Sequence, residues 1–167
     1  MSNQIPFPMQ SQQQSNWCWA AVSASVASYY NTPGPSGRPW QQCEIANAEF
    51  GVATCCQNGS SIVCNKDWYL DKALQRVNHL AGPATPGPAP FASITQEIDS
   101  NHLVGVRIGW YGDGGHFVAL SGYDDTNGNQ IVDVEDPIYG PSTYDYSVFC
   151  TAYQSGTGAW TNTYPIA

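Results

Sequence analysis

Gln12-Gln13-Gln14-Ser15-Asn16-Trp17-Cys18-Trp19-Ala20-Ala21 is a polar, aromatic-flanked run that opens into the first helix-compatible segment of the chain. From Trp17 to Tyr30 the residues Ala20, Ala21, Val22, Ala24, Val26 and Ala27 are apolar nearly all round, which predicts a helix buried on most faces. Ser15 or Asn16 is placed to cap it, and Asn31-Thr32-Pro33-Gly34-Pro35 to stop it. Cys18 then stands at a helix start, where unpaired backbone N–H groups and the positive end of the helix dipole favour a thiolate. A thiol so placed is a candidate nucleophile, and it needs a base, a group that orients the base, and donors for an oxyanion.

Working outward, the chain up to Ser15 is Gln-rich and kept extended by Pro6 and Pro8, an ordered arm leading to Cys18. Gln42 to Phe50 reads as a short helix ending at Gly51, Asp67 to Val77 as another, and a third falls around Ser93 to Ser100. Ala81 to Pro90 is too rich in Pro and Gly for a helix or a central strand and marks a boundary. Beyond it the pattern predicts strands at Leu103–Trp110, His116–Tyr123, Gln130–Glu135, Tyr144–Tyr153 and Ala159–Tyr164, with Asn127-Gly128 as a hairpin turn. The fold class expected is α+β: one catalytic domain with a helical lobe over about 16–80, a linker over 81–90 and an antiparallel strand lobe over about 91–167. A cleft between the lobes is the natural place for chemistry.

Charge narrows the partners. Thirteen Asp and Glu against five Lys and Arg give a formal charge of −8, so nucleic acid and anionic membrane are excluded as partners. No apolar run approaches the roughly 18 residues of a spanning helix, and Met1 to Gln14 lacks the pattern of a signal peptide. Six cysteines lie at 18, 43, 55, 56, 64 and 150. Cys43, Cys55, Cys56 and Cys64 sit in one loop-rich segment and read as two local disulfides, with Cys43 joined to Cys55 or Cys56 and Cys64 to the other. A zinc site is the weaker reading, since adjacent Cys55 and Cys56 suit one tetrahedral ion poorly and no His lies among them. Disulfides place the protein in an oxidising compartment, and secretion is expected. Asp124 to Asn129 lacks the closing Glu of a calcium loop, so neither metal nor cofactor is assigned. Cys150, in a predicted strand, reads as a buried free thiol.

Of three histidines, His79 at a helix end and His102 at a helix-to-strand junction read as solvated or capping residues. His116 follows Asp113-Gly114-Gly115 and begins the apolar strand Phe117-Val118-Ala119-Leu120, which fixes its ring direction and makes it the candidate base. Asp136 ends the next strand before Pro137, one hairpin away, and is placed to accept the Nδ1–H of His116. Glu135 and Asp133 are its rivals; Glu135 is assigned to the opposite face, and Asp133, assigned to the same face, lies further from the strand end. Gln12 could bring its amide over the helix start, but Gln10, Gln13 and Gln14 compete for that role.

Gln12…Asn16-Trp17-Cys18-Trp19-Ala20-Ala21, then Gly114-Gly115-His116-Phe117-Val118, then Glu135-Asp136-Pro137 resembles the papain-like cysteine proteases, in particular the compact bacterial branch that includes secreted effector proteases. The resemblance implies Cys18 as nucleophile, His116 as general base and acid, Asp136 as the orienting residue where papain has Asn, and Gln12, chosen among the glutamines, as oxyanion donor. Trp17, Trp19, Gly114 and Gly115 flank these positions and are the candidate substrate-binding residues. The implied fold sets a helical lobe against a β-barrel-like lobe, and the implied activity is that of a monomeric endopeptidase acting on protein or peptide through a thioester. The same fold could serve a deamidase, amidase or acyltransferase, or a silent binding module.

Overall fold

A computed structural model describes residues 1–167. In chain order it comprises β1 (Ser2–Gln4), α1 (Cys18–Tyr29), α2 (Gln42–Phe50), α3 (Leu70–Arg76), β2 (Thr85–Pro86), α4 (Phe91–Asp99), β3 (Val104–Trp110), β4 (Gly115–Asp124), β5 (Ile131–Glu135), β6 (Ser142–Asp145), α5 (Tyr146–Gly156) and β7 (Gly158–Pro165). The architecture is α+β, with a seven-stranded antiparallel sheet that does not close: its order is β2-β7-β3-β4-β5-β6, and β1 pairs with β4 beyond the end of β3.

Every residue of α1 from Cys18 to Ala27 is buried, as an apolar, small-residue helix predicts. Small side chains let α1 lie close against β4 on one side and against α2 and α3 on the other. Its inward hydroxyls are partly spent at home, Ser25 donating to the Ala21 carbonyl and accepting from the Gln10 backbone N–H. α2 spans the residues expected of it, starts on a capping box between Gln41 and Glu44, and stops at Gly51 in the left-handed region.

Several expectations are corrected. Neither Ser15 nor Asn16 caps α1: Trp17 is the cap residue and supplies no side-chain bond, while the Asn16 side chain is drawn off to the Asn65 carbonyl. Tyr144–Tyr153, expected as one strand, is divided between the end of β6 and α5. The cause is Asp145, whose carboxylate accepts from the Ser147 and Val148 N–H groups and turns the chain into a helix. Tyr146, Phe149, Cys150 and Tyr153 follow the i, i+3, i+4, i+7 spacing that this helix requires, although its backbone leaves helical geometry from Ala152 to Ser155. Cys150 is accordingly a half-buried helix residue, still a free thiol, rather than a buried strand residue. The segment 81–90 does contain a strand, but β2 is two residues long and at the sheet edge, the one place where proline is tolerated. Asn127 and Gly128 both adopt positive φ, yet inside a six-residue connection with a 3₁₀ turn rather than a two-residue loop.

Candidate active site

Cys18 is the first residue of α1 and is 8% exposed. With no side chain capping the helix, its backbone N–H has no partner within the helix. The approach to Cys18 is held by a single loop. The Trp17 indole donates to the Cys64 carbonyl (2.8 Å), the Trp19 indole to the Lys66 carbonyl (3.1 Å), and Asn16 donates its backbone N–H to the Asn65 side chain and its side-chain amide to the Asn65 carbonyl. That loop is fastened by the Cys55–Cys64 disulfide, and the second disulfide joins Cys43 to Cys56, which resolves the pairing left open between Cys55 and Cys56. Trp17 and Trp19 are 1% and 0% exposed, so both rings are packing and hydrogen-bonding supports around Cys18, not the substrate-binding surface expected of them.

The base side comes from the sheet. His116, on β4, is 3% exposed and its Nε2 lies 2.9 Å from Oδ1 of Asp136, itself 2% exposed at the end of β5. Asp136 is therefore the carboxylate partner, but through Nε2 and not the Nδ1 expected, which leaves Nδ1 as the nitrogen free of Asp136. A carboxylate only accepts, so Nε2 carries the proton of this bond. Oδ1 also accepts from the Ile138 and Tyr139 N–H groups (2.6 and 2.9 Å), and Oδ2 accepts from the Tyr153 hydroxyl at 2.7 Å. Pro137 has no N–H to offer, and its fixed φ turns the chain so that the next two N–H groups reach back to Asp136.

Electrostatics follow from these contacts. Burial opposes charge on His116, but the hydrogen bond and charge of Asp136, with Cys18 adding to the same effect, raise its pKa to about 9. Burial likewise opposes ionisation of Asp136, and the His116 bond and charge, the Tyr153 hydroxyl and the Tyr139 N–H outweigh it and hold the carboxyl below its ordinary range. The two directions agree: each group of the buried pair favours the charged form of the other. The rivals are occupied elsewhere: Glu135 accepts from Ser121, and Asp133 accepts from Thr143. Asp133 lies two residues from Glu135, and so on its face of β5 and not on the face assigned to it with Asp136.

Two aromatic residues of the site were not foreseen. Trp110 stacks on the His116 ring (centroids 5.9 Å apart) and on Tyr153 (6.2 Å), closing the His116–Asp136 pair from above. The helical spacing of Tyr153 with Phe149 and Tyr146 was the signal that could have found it. His79 is buried rather than solvated, stacked on Tyr30 and bonded to Thr32 and to the Ala167 carbonyl, while His102 pairs with Glu97 near the surface.

Gln12 sits at the same junction, its backbone N–H donating to the Pro137 carbonyl (3.0 Å) and so tying the arm to the Asp136 turn. Its Nε2 donates to the Gln14 and Ser15 carbonyls (2.9 and 2.8 Å), and its Oε1 is buried with no partner. The neighbouring glutamines are latches: buried Gln42 accepts from the Gln13 N–H and donates to Gln10 and to the Ser11 carbonyl. Gly114 and Gly115 are exposed beside His116. Gly114 has φ +83°, and a Cβ on Gly115 would come within 2.6 Å of the Arg107 guanidinium.

No curated protein matches the chain. Among solved structures it is similar in outline to the Pseudomonas avirulence protein AvrPphB, at 12% identity over 96% of this chain and 97% of that one with a TM-score of 0.46. It is similar also to digestive procathepsin L 3 of the Tenebrio molitor larval midgut, at 14% identity over 99% of this chain and 69% of that one with a TM-score of 0.49. Both likenesses are distant. Residues 4–167, which hold all of Gln12, Cys18, His116 and Asp136, match the model of the Peptidase_C39 like family, and the chain belongs to that family.

Proposed function

We propose that this protein is a cysteine endopeptidase in which Cys18, His116 and Asp136 form the triad of one two-lobed catalytic domain. The observation that carries the reading is the buried His116–Asp136 pair, in which Asp136 takes up Nε2 and leaves Nδ1 free to accept a proton from the Cys18 thiol at an uncapped helix start. Cys18 passes its proton to His116, and the thiolate attacks the peptide carbonyl. The oxyanion rests on the Cys18 N–H, His116 protonates the leaving amine, and water then cleaves the thioester. Asp136 keeps Nε2 protonated and the ring turned toward the thiol. Gln12 serves as second oxyanion donor by releasing one of its two carbonyl bonds when substrate enters. The two disulfides favour a secreted protein, proposed to act as a monomer on protein or peptide.

Casein-type and diverse peptide substrates, with an epoxide thiol inhibitor, test this. Cleavage should disappear in Cys18→Ala, and the inhibitor should mark Cys18 alone. Thioester formation on a Gln side chain without peptide cleavage would redirect the assignment to a deamidase or acyltransferase.

A further inference from the structure

A groove of about 560 Å³ lies between the lobes, walled by Asp67, Trp68 and Tyr69 on the helical side and by Arg107, Phe117, Asn162 and Tyr164 on the sheet. Each wall adjoins the site along the chain. Asp67 follows the loop of Cys64 to Lys66 that holds the two tryptophans around Cys18, and Phe117 follows His116. Arg107, Phe117 and Asn162 are register partners across β4, β3 and β7, so they form one row on one face of the sheet.

Arg107 is the unusual member. It is half-buried and makes no ion pair; its one side-chain bond is from Nη1 to the Thr161 hydroxyl at 3.0 Å. Its guanidinium lies flat across Gly115, the residue before His116, where a Cβ would meet Nη2, Cζ and Nε at 2.6 to 3.0 Å. Gly115 makes room for it, whereas at its register partner Gly109 a Cβ would meet Thr161 Cγ2 at 2.8 Å and Arg107 Nη1 only at 3.5 Å. Lys72, outside the groove lining, has its Nζ 5.0 Å from the Trp68 ring and 4.7 Å from the Tyr69 ring. In a chain of formal charge −8, Arg107 is the cation that lines this groove, opposed there by Asp67 and by Asp71 near Tyr164.

We propose that this groove receives an acidic side chain of the polypeptide substrate, its carboxylate on the free edge of Arg107 and its stem against Phe117, Tyr164 and Trp68. Guanidinium and carboxylate match as a planar, two-bond pair, and Arg107 has donors left for it. The aromatic walls shield that pair from water, and Asp67 is the internal competitor for the same cation. The inference rests on the peptidase reading and names the substrate class of that site.

The test uses acetylated, amidated octapeptides that are identical except for Glu or its isostere Gln, scanned through each position. At one position the wild type should prefer Glu by roughly tenfold or more in kcat/KM, the scale of a charge-assisted pair. Arg107→Gln should bring that ratio close to one, Arg107→Lys should keep part of it, and Asp67→Asn should enlarge it. Equal use of Glu and Gln at every position by the wild type overturns the proposal without recourse to any variant, as does a Glu preference that survives in Arg107→Gln. The same pairs titrated calorimetrically into Cys18→Ala protein separate the two readings. Tighter binding of the Glu peptide supports the groove even if no peptide bond is ever cleaved, and equal Kd values overturn it even if cleavage is found.

Discussion

On the helical side of the cleft, Cys18 is positioned by main-chain carbonyls. The indoles of Trp17 and Trp19 and the amide of Asn16 reach the backbone of residues 64 to 66, and a disulfide keeps that backbone in place. On the sheet side, His116 is positioned by side chains drawn from β5, β3 and α5: the Asp136 carboxylate, the Trp110 ring and the Tyr153 phenol behind Asp136. A thiol needs only to be aimed, and a covalently fastened loop aims it. An imidazole must be aimed and also held in one protonation state, which takes a network of charge and hydrogen bonds in a dry setting.

Removing the centre of the charged network should have the largest effect. His116→Ala is expected to lower kcat/KM by about 10⁴-fold or more while Cys18 remains present, the behaviour of residues that act as a unit. Initial rates on a cleavable peptide check it. Asp136→Asn retains an acceptor for Nε2 but removes the charge. It should cost roughly 10- to 100-fold in rate and, more tellingly, move the alkaline limb of Cys18 alkylation to lower pH. The sign follows from the His116 pKa, raised from its ordinary 6.5 to about 9. The ion pair contributes its full stability below about pH 6.5 and loses it as pH rises through about 9, so Asp136→Asn should blunt the decline of wild-type stability across that window. An unshifted alkaline limb would show that Asp136 aims the ring without tuning it.

The helical side breaks differently. Replacing Cys55 and Cys64 together by Ala should cost about 2–4 kcal/mol in stability, measured by denaturant unfolding. It should also depress turnover at temperatures where the protein is still folded, because the carbonyls of residues 64 to 66 lose their anchor. The Cys43–Cys56 pair holds no carbonyl that reaches the nucleophile segment, and its removal should lower stability without a comparable loss of turnover per folded molecule.

The same division explains what could be read in the sequence. Cys18 at the start of an Ala-rich helix, Gly-Gly before His116 and Asp-Pro at a strand end are local patterns, each decided by residues within a few positions. α1 and α2 were legible for that reason, down to the Gly51 stop. What failed depended on partners distant in sequence. Trp17 and Trp19, expected to bind substrate, instead donate their indole N–H groups to the carbonyls of Cys64 and Lys66, more than forty positions away, and are buried. The Nδ1 assignment for His116 failed because the ring nitrogen that meets Asp136 depends on how the β4–β5 pair is placed against the cleft, which alternation along one strand does not encode. α5 is the exception: its cap Asp145 and its i, i+3, i+4, i+7 aromatics were local, and the β propensity of Tyr, Val and Phe obscured them.

Tyr153 gives the smallest effect and the finest resolution of the comparison. Its hydroxyl donates to Asp136 Oδ2, the oxygen that His116 does not use, and burial with the Asp136 charge nearby raises its own pKa. Tyr153→Phe removes one oxygen and keeps the ring against Trp110, Phe149 and Tyr144. A buried bond to a charged acceptor is worth about 1.5–3 kcal/mol, so a comparable loss of stability is expected. Loss of packing alone would lower stability and leave the titration of His116 where it is. If Tyr153 positions and tunes Asp136, the carboxylate becomes more basic without its fourth donor, and Cys18 alkylation and turnover should change their pH dependence in step. The phenylalanine variant therefore tests whether the charged network ends at His116 and Asp136 or extends one residue further into α5.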